Sequence, residues 1–231
     1  MKISIVGTGM IATEVIKTLR TEAKGIEITS LFTHSNKEKA QALAKANHIE
    51  RIYTDYAQLL REDGADFVYI AVINSVHYAF VHEALEADRN VIVEKPFTMT
   101  VAEAEELAAM ALERKLYLFE AVSPLHTPNF RLVKENLGRI APIHFVQCNY
   151  SQYSSKYDRY LQGDIAPAFD PLSGGGTLND LNVYNINVVT ALFGPPAASR
   201  YFANYGHNGI DTSGVMVLSY PTMTATCTAA K

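Results

Sequence analysis

Through its first half the chain alternates short apolar runs with longer amphipathic stretches. Ile3–Val6, Ile26–Phe32, Phe67–Val72, Asn90–Val93 and Leu116–Phe119 read as strands, several of them apolar enough to be buried on both faces. The segments between them repeat at helical spacing. Helices are predicted over Met10–Arg20, Lys37–Ala46, a short stretch opened by Asp55-Tyr56-Ala57-Gln58, about Val76–Ala87, and an Ala- and Glu-rich run ending at Arg114. Ser35-Asn36-Lys37-Glu38 and Thr100-Val101-Ala102-Glu103 have the capping-box form, in which a hydroxyl and a carboxylate satisfy helix N-terminal N–H groups reciprocally. Strands alternating with helices of about 10–15 residues predict βαβ units and a parallel sheet.

The pattern changes near residue 122. A helix is predicted over Asn129–Leu137, ended by Gly138, and then an alternating strand over Pro142–Tyr150. Tyr150–Asp170 is polar and rich in tyrosine without a period, and is predicted as a long loop. Gly174-Gly175-Gly176 opens a predicted helix that runs to Phe193 and stops at Gly194-Pro195-Pro196. Ser199–Tyr205, Ser213–Tyr220 and Met223–Ala229 read as strands of an antiparallel sheet facing that helix. We therefore expect two domains, 1–121 and 122–231. The strand-like run to Ala229 has no closing element after it, which leads us to expect a second domain truncated at its C-terminus.

Composition narrows the function. The 231 residues are 48% hydrophobic and 19% charged, enough to bury a core and unlike a disordered chain. A net charge of -4 argues against a nucleic-acid partner. Two cysteines, Cys148 and Cys227, are too few and too far apart in sequence for a disulfide framework or a thiolate metal site. No metal is expected, and the setting is read as reduced and cytoplasmic. The apolar run at the N-terminus is too short for a signal peptide, and no window approaches the roughly 20 apolar residues that span a bilayer.

Chemistry is first legible at Gly7-Thr8-Gly9-Met10-Ile11-Ala12, between a strand and a helix. This is the G-x-G-x-x-A form of the dinucleotide fingerprint: one glycine for the turn, one for close approach of a pyrophosphate, and a small residue for helix–strand packing. The phosphates would meet the helix N-terminus, where free N–H groups favour anions. The second strand ends Thr33-His34-Ser35 without the acid that grips a ribose 2′-hydroxyl. Thr33, His34 and Lys37 could hold a 2′-phosphate instead, so of NAD and NADP the balance leans to NADP. Lys37 reads equally as a solvated first-turn lysine.

Glu94-Lys95-Pro96 follows a buried strand, at the end where open α/β sheets bind ligands. Asp180 and Tyr184, four residues apart, share a helix face that Asn187 and Thr190 continue, with Leu178, Leu181, Val183, Ile186 and Val189 toward the core.

The fingerprint, Asn74-x-x-His77, Glu94-Lys95-Pro96 and Gly174-Gly175-Gly176-x-x-x-Asp180, taken in series, resemble the glucose–fructose oxidoreductase / inositol dehydrogenase / MocA family of NAD(P)-dependent oxidoreductases over essentially the whole chain. The resemblance implies an α/β Rossmann domain with a parallel sheet, then an α+β domain with an open, mostly antiparallel sheet. It implies hydride transfer between a nicotinamide and a hydroxyl or carbonyl of a sugar, polyol or related small polar compound. It places Ala71, Asn74, His77, Glu94 and Lys95 beside the cofactor. Many members have histidine where this chain has Tyr184, so the likeness is to the tyrosine-using branch. Tyr184 is then expected as acid/base, Lys95 as the group that orients the reacting oxygen and favours the phenolate, and Asp180 as a holder of Lys95 or a substrate hydroxyl. A tyrosine, with an ordinary pKa near 10, needs such help near neutral pH.

Glu120, His126, Tyr157 and Arg159, with Lys156, are further candidates for the substrate pocket. His82 is read as structural. A homo-oligomer through the second-domain sheet is expected from the resemblance. Two other functions stay open: a nucleotide-binding regulator without catalysis, and an NAD-assisted glycosidase with no net cofactor turnover.

Overall fold

The computed structural model describes residues 1–231, which divide into two compact units, Met1–Ala121 and Val122–Lys231. The first holds six parallel strands: β1 (Lys2–Val6), β2 (Glu27–Phe32), β3 (Arg51–Tyr53), β4 (Phe67–Ile70), β5 (Asn90–Glu94) and β6 (Leu118–Ala121). Their order is β3-β2-β1-β4-β5-β6. Strand order reverses between β1 and β4, which opens a crevice at the carboxyl ends of those neighbours. The helices are α1 (Met10–Thr21), α2 (Lys37–Ala46), α3 (Tyr56–Glu62), α4 (His77–Glu86) and α5 (Val101–Arg114).

Both sheet faces are packed. One core gathers Val6, Val68, Ile70, Val91 and Val93 under Val81, Leu85 and Leu107 of α4 and α5. The other gathers Ile3, Ile5, Ile28 and Leu31 under Ala12 and Ile16 of α1. This two-sided burial is why the strands read as continuous apolar runs.

Thr100 and Glu103 form the predicted capping box. The box predicted from Ser35 does not form. Asn36, the residue directly before α2, caps it by accepting from Lys39 N at 3.0 Å, so the cap lies one position beyond Ser35. The short strand β3 was missed; three residues carry too little pattern to read.

In the second unit, α6 (Pro128–Asn136) precedes β7 (Phe145–Ser151). Then come α7 (Tyr157–Leu161), α8 (Val183–Phe193), β8 (Ala198–Tyr205), β9 (Asp211–Ser219) and β10 (Thr224–Ala230). The sheet order is β7-β10-β9-β8, antiparallel except for the β10–β7 pair. That parallel pair puts Cys227 directly beside Cys148, two free thiols far apart in sequence. Helix α8 covers one sheet face through Val189 and Ile186 on Leu218, Ala225 and Cys227.

Two predictions are corrected here. The stretch predicted as a loop over Tyr150–Asp170 contains α7 and buries Tyr160 and Phe169, stacked 4.8 Å apart. Aromatic burial orders it without a sequence period. The helix predicted straight from the triple glycine begins instead with a π-helical turn, Leu178–Asn182, that leads into α8. Single π turns inside α-helices are frequent at functional sites.

Candidate functional site

At the β1–α1 turn the two glycines have different reasons. Gly7 has φ 117°, and a Cβ there would lie 2.2 Å from the carbonyl oxygen of Ala71 at the end of β4. The protein's own packing requires that glycine. Gly9 is the N-cap of α1 with φ -68°, a conformation any residue adopts, and a Cβ there would meet nothing within 4 Å. No side chain caps this helix start. Its leading amides thus open onto a surface kept bare at Gly9, which suits a phosphate. Ala12 is fully buried against the sheet, whereas Met10 (69% exposed) and Ile11 flank the turn as exposed apolar side chains. Thr8 is half-buried between the two glycines. Ala71 is buried, so the atom it presents to the glycine turn is its carbonyl.

At the end of β2, His34 and Lys37 are exposed, and Lys37 opens α2. Thr33 is corrected as a 2′-phosphate ligand. It is 4% exposed, its hydroxyl accepts from Asn36 N at 3.2 Å, and its amide donates to Tyr53 O.

Lys95 leaves β5 at the same carboxyl edge, in a turn braced at both ends of one peptide group, Pro96–Phe97. His77 Nδ1 donates to Pro96 O at 2.8 Å, and Glu120 Oε1 accepts from Phe97 N at 2.9 Å. His77 is thereby corrected as a cofactor contact. It is fully buried, and its Nε2 lies 3.3 Å from Val72 O, leaving no surface to give a ligand. Burial holds its pKa below 6.5, so the ring is a neutral strut. Glu120, expected in the substrate pocket, spends one oxygen on this brace. Burial pushes its carboxyl up, partly countered by the Phe97 hydrogen bond and by Lys95. Glu94 accepts from Tyr69 Oη at 2.6 Å, and burial likewise raises its pKa against that bond and Lys95. Asn74 opens the 3-10 turn Asn74–Val76 that leads into α4.

The first unit thus brings Gly7–Ala12, the Ala71 carbonyl, Asn74, Glu94, Lys95 and Glu120 to the carboxyl ends of β1, β4, β5 and β6. That is one edge of one sheet.

In the second unit, a Cβ at Gly175 would meet Pro167 O at 2.5 Å, and one at Gly176 would meet Asp211 Oδ1 at 2.1 Å. The glycines therefore let the segment around Ala168 and the Asp211 carboxylate close on the start of the π turn. Asp211 Oδ2 accepts from Leu178 N at 2.7 Å and from Tyr201 Oη at 2.6 Å. Asn182 and Asn185, both buried, donate to the carbonyls of Cys227 and Thr228. These bonds fix the helix on β10. Asp180 lies within the π turn and pairs with Lys231 at 2.9 Å. Tyr184 follows one turn later, half-buried, its ring 5.4 Å from that of Tyr150.

Asp211, Lys231, Asn182 and Asn185 were missed. The last two could have been found, because two asparagines three residues apart in an apolar helix are costly to bury unless bonded. Lys231 and Asp211 carried no local signal.

The remaining candidates lie in the turn before α6 and in and around α7. His126, itself exposed, ends the 3-10 turn Ser123–His126. Arg159 is exposed and paired with Asp164. Tyr157 packs its ring on Tyr153, Tyr160 and Phe169, and Lys156 is the residue before α7. No helix is long and apolar enough to cross a membrane.

Residues 1–121 match the family described as "Oxidoreductase family, NAD-binding Rossmann fold", and residues 132–231 match the "GFO/IDH/MocA C-terminal domain". An uncharacterized oxidoreductase, YgjR, of Escherichia coli (strain K12) is 32% identical over 220 residues. The scyllo-inositol 2-dehydrogenase (NADP(+)) IolU of Bacillus subtilis (strain 168) is 29% identical over 220 residues. Each alignment covers 95% of this chain, and the chain spans 66% of each relative's length. Among solved structures, the WlbA dehydrogenase from Bordetella pertussis in complex with NADH and UDP-GlcNAcA superposes with a TM-score of 0.89 at 18% identity. That superposition covers 100% of this chain and 66% of WlbA, a likeness of fold. With a six-stranded parallel sheet, a fingerprint turn at its switch point and a family match across the whole first unit, the chain belongs to the GFO/IDH/MocA family of oxidoreductases.

Proposed function

We propose that the protein is an NAD(P)-dependent oxidoreductase acting on a CH–OH group, or the corresponding carbonyl, of a sugar, polyol or similar small polar compound. Residues 1–121 bind the dinucleotide, and residues 122–231 supply the substrate site and subunit contacts. The observation that carries the reading is the Lys95 turn, braced by His77 and Glu120 at the sheet edge that also holds the bare glycine turn. A buried neutral histidine and a half-buried carboxylate spent on the carbonyl and the amide of the peptide group that follows Lys95–Pro96 fit a lysine that must be held in place.

The residues present fit a dinucleotide. Gly7, Thr8 and Gly9 with the first amides of α1 would hold its pyrophosphate. Met10, Ile11 and Asn74 would line it, and His34 and Lys37 would meet a 2′-phosphate, favouring NADP. The Bacillus subtilis relative, named for NADP(+), supports that preference. When bound, the nicotinamide supplies the hydride acceptor or donor. Lys95 Nζ orients the reacting oxygen. Tyr184 Oη takes the hydroxyl proton, or returns it in reduction, as in the tyrosine-using branch of the family. Asp180 holds a substrate hydroxyl, and His126 and Tyr157 contribute to the substrate pocket. The sheet face away from α8 leaves Phe145 and Phe202 exposed, which supports a homo-oligomer through that face.

The test is a fluorescence titration of the protein with NADH and NADPH, followed by a polyol and sugar screen beginning with scyllo-inositol. Saturable binding with NADPH tighter, and turnover that Tyr184→Phe lowers by roughly 10²- to 10⁴-fold at unchanged cofactor affinity, is expected. Tyr184→Phe turning over normally would remove the acid/base assignment. Failure of both dinucleotides to bind would remove the reading.

A further inference from the structure

Lys231 has no place in the mechanism above, yet it is the most elaborately housed cation in the second unit. Its side chain is 2% exposed. Its backbone N–H donates to Thr212 O, extending the ladder between β10 and β9, so the root of the side chain is fixed. Its ammonium donates to Ala168 O, stands 4.6 Å from the centroid of the Phe169 ring and pairs with Asp180 Oδ2 at 2.9 Å. A carbonyl, a carboxylate and an aromatic face together serve the three N–H bonds of a buried ammonium, which is costly to bury otherwise.

The housing explains several features at once. Ala168 O also accepts from Gly176 N, so one carbonyl ties the triple-glycine motif to the lysine. A side chain at Gly175 would collide with Pro167 O and Ala168, pushing that carbonyl away. Phe169 is held by its stack on Tyr160. The aromatic knot in the predicted loop, the glycine motif and the end of β10 thus build one cage. The one member of that cage on the π turn is Asp180, whose own side chain is 35% exposed. The lysine end of the cage is sealed from solvent, and the aspartate end keeps about a third of its side chain exposed.

We propose that Lys231 is a positioning residue: its caged ammonium fixes the rotamer of Asp180 at the head of the helix face that carries Tyr184. The inference rests on the oxidoreductase reading, because it gives Asp180 a place in the substrate site. Lys231 itself touches neither substrate nor cofactor and acts through Asp180.

The test compares Lys231→Met, Lys231→Arg, Asp180→Asn and the Lys231→Met/Asp180→Asn double variant in the full protein. Each is assayed with NADP(+) or NAD and the best compound of the polyol and sugar screen, with NADPH binding and thermal melting measured in parallel. Lys231→Met is expected to lower kcat by roughly 10- to 100-fold, the worth of a charge-assisted contact, while NADPH affinity stays within about 2-fold. Lys231→Arg restores part of that loss. Adding Lys231→Met to Asp180→Asn costs under about 2-fold more, since the carboxylate through which it acts is already gone. Full kcat in a folded Lys231→Met variant, or losses that multiply in the double variant, would overturn the proposal. Should Lys231→Met not fold, Lys231→Arg decides: a kcat loss exceeding that of Asp180→Asn counts against it. Absence of turnover by the unmodified protein on every compound would instead overturn the reading on which the proposal rests.

Discussion

Replacing Gly9 with alanine separates what the protein needs from what its ligand needs. At φ -68° alanine is unstrained, and the new methyl meets no protein atom within 4 Å. Alanine is a poorer N-cap than glycine by about 0.5–1 kcal/mol. Loss of glycine's freedom in the unfolded chain returns about 0.4–1 kcal/mol. The two nearly cancel, so the melting temperature should change by only a few degrees. The methyl does occupy the space a pyrophosphate needs at the first amides of α1. Losing one charge-assisted N–H contact there, about 1.5–3 kcal/mol, weakens NADPH binding roughly 10- to 150-fold. Gly7→Ala is the opposite perturbation. At φ 117° with a Cβ 2.2 Å from Ala71 O, it forces strain and displaces the end of β4. It should cost more than about 2 kcal/mol of stability. NADPH fluorescence titration and thermal melting of both variants form the assay. Gly9→Ala binding NADPH like the unmodified protein would refute the placement of the phosphates. Gly9→Ala unfolding like Gly7→Ala would refute the division of roles between the two glycines.

Two further predictions concern the brace of the Lys95 turn. The buried His77 resists protonation while its unfolded counterpart accepts a proton near 6.5, so stability is lost as pH falls below that value. The loss is at most about 1.4 kcal/mol per pH unit, read as a falling melting temperature that His77→Gln flattens. A slope unchanged in His77→Gln would show that another group titrates. Glu120 has the opposite sign: its folded pKa is raised above 4.5, so it opposes folding increasingly as pH rises through that window. Glu120→Gln keeps an oxygen for Phe97 N and removes the charge, so it should melt at least as high at neutral pH. A clear loss there would mean that the carboxylate's charge is required.

What was legible in the sequence follows from how far each signal reaches. The parallel sheet declares itself because both of its faces are packed, leaving Ile3–Val6 and Phe67–Ile70 with no solvent side. The fingerprint turn and Glu94-Lys95-Pro96 are legible because each does its work within a few consecutive residues. His77 misled for a physical reason. A histidine three residues from Asn74, close to a ligand edge, gives the same string whether it faces the ligand or backs the turn, and only its two carbonyl partners tell which. Thr33 misled in the same way, since a threonine at a strand end serves as ligand or as turn acceptor, and here Asn36 N claims it. The aromatic knot at Tyr160 and Phe169 was hidden because it is packed on Ile210, some forty residues away, and not on a periodic partner.

The triple-glycine motif depends on residues far outside it. Gly174-Gly175-Gly176 and Asp180 stand out as a string, and the string invites the view that the glycines serve the helix they precede. In the structure they serve distant partners. Gly175 admits the Pro167–Ala168 carbonyls, and Gly176 admits Asp211, which caps the π turn through Leu178 N. Asp180 is met by Lys231, fifty-one positions on. The π turn is thus anchored from β9 and from the end of β10 as well as within its own segment. A substitution at Asp211 or Lys231 should therefore disturb Asp180 as surely as one inside the motif, although neither residue belongs to it.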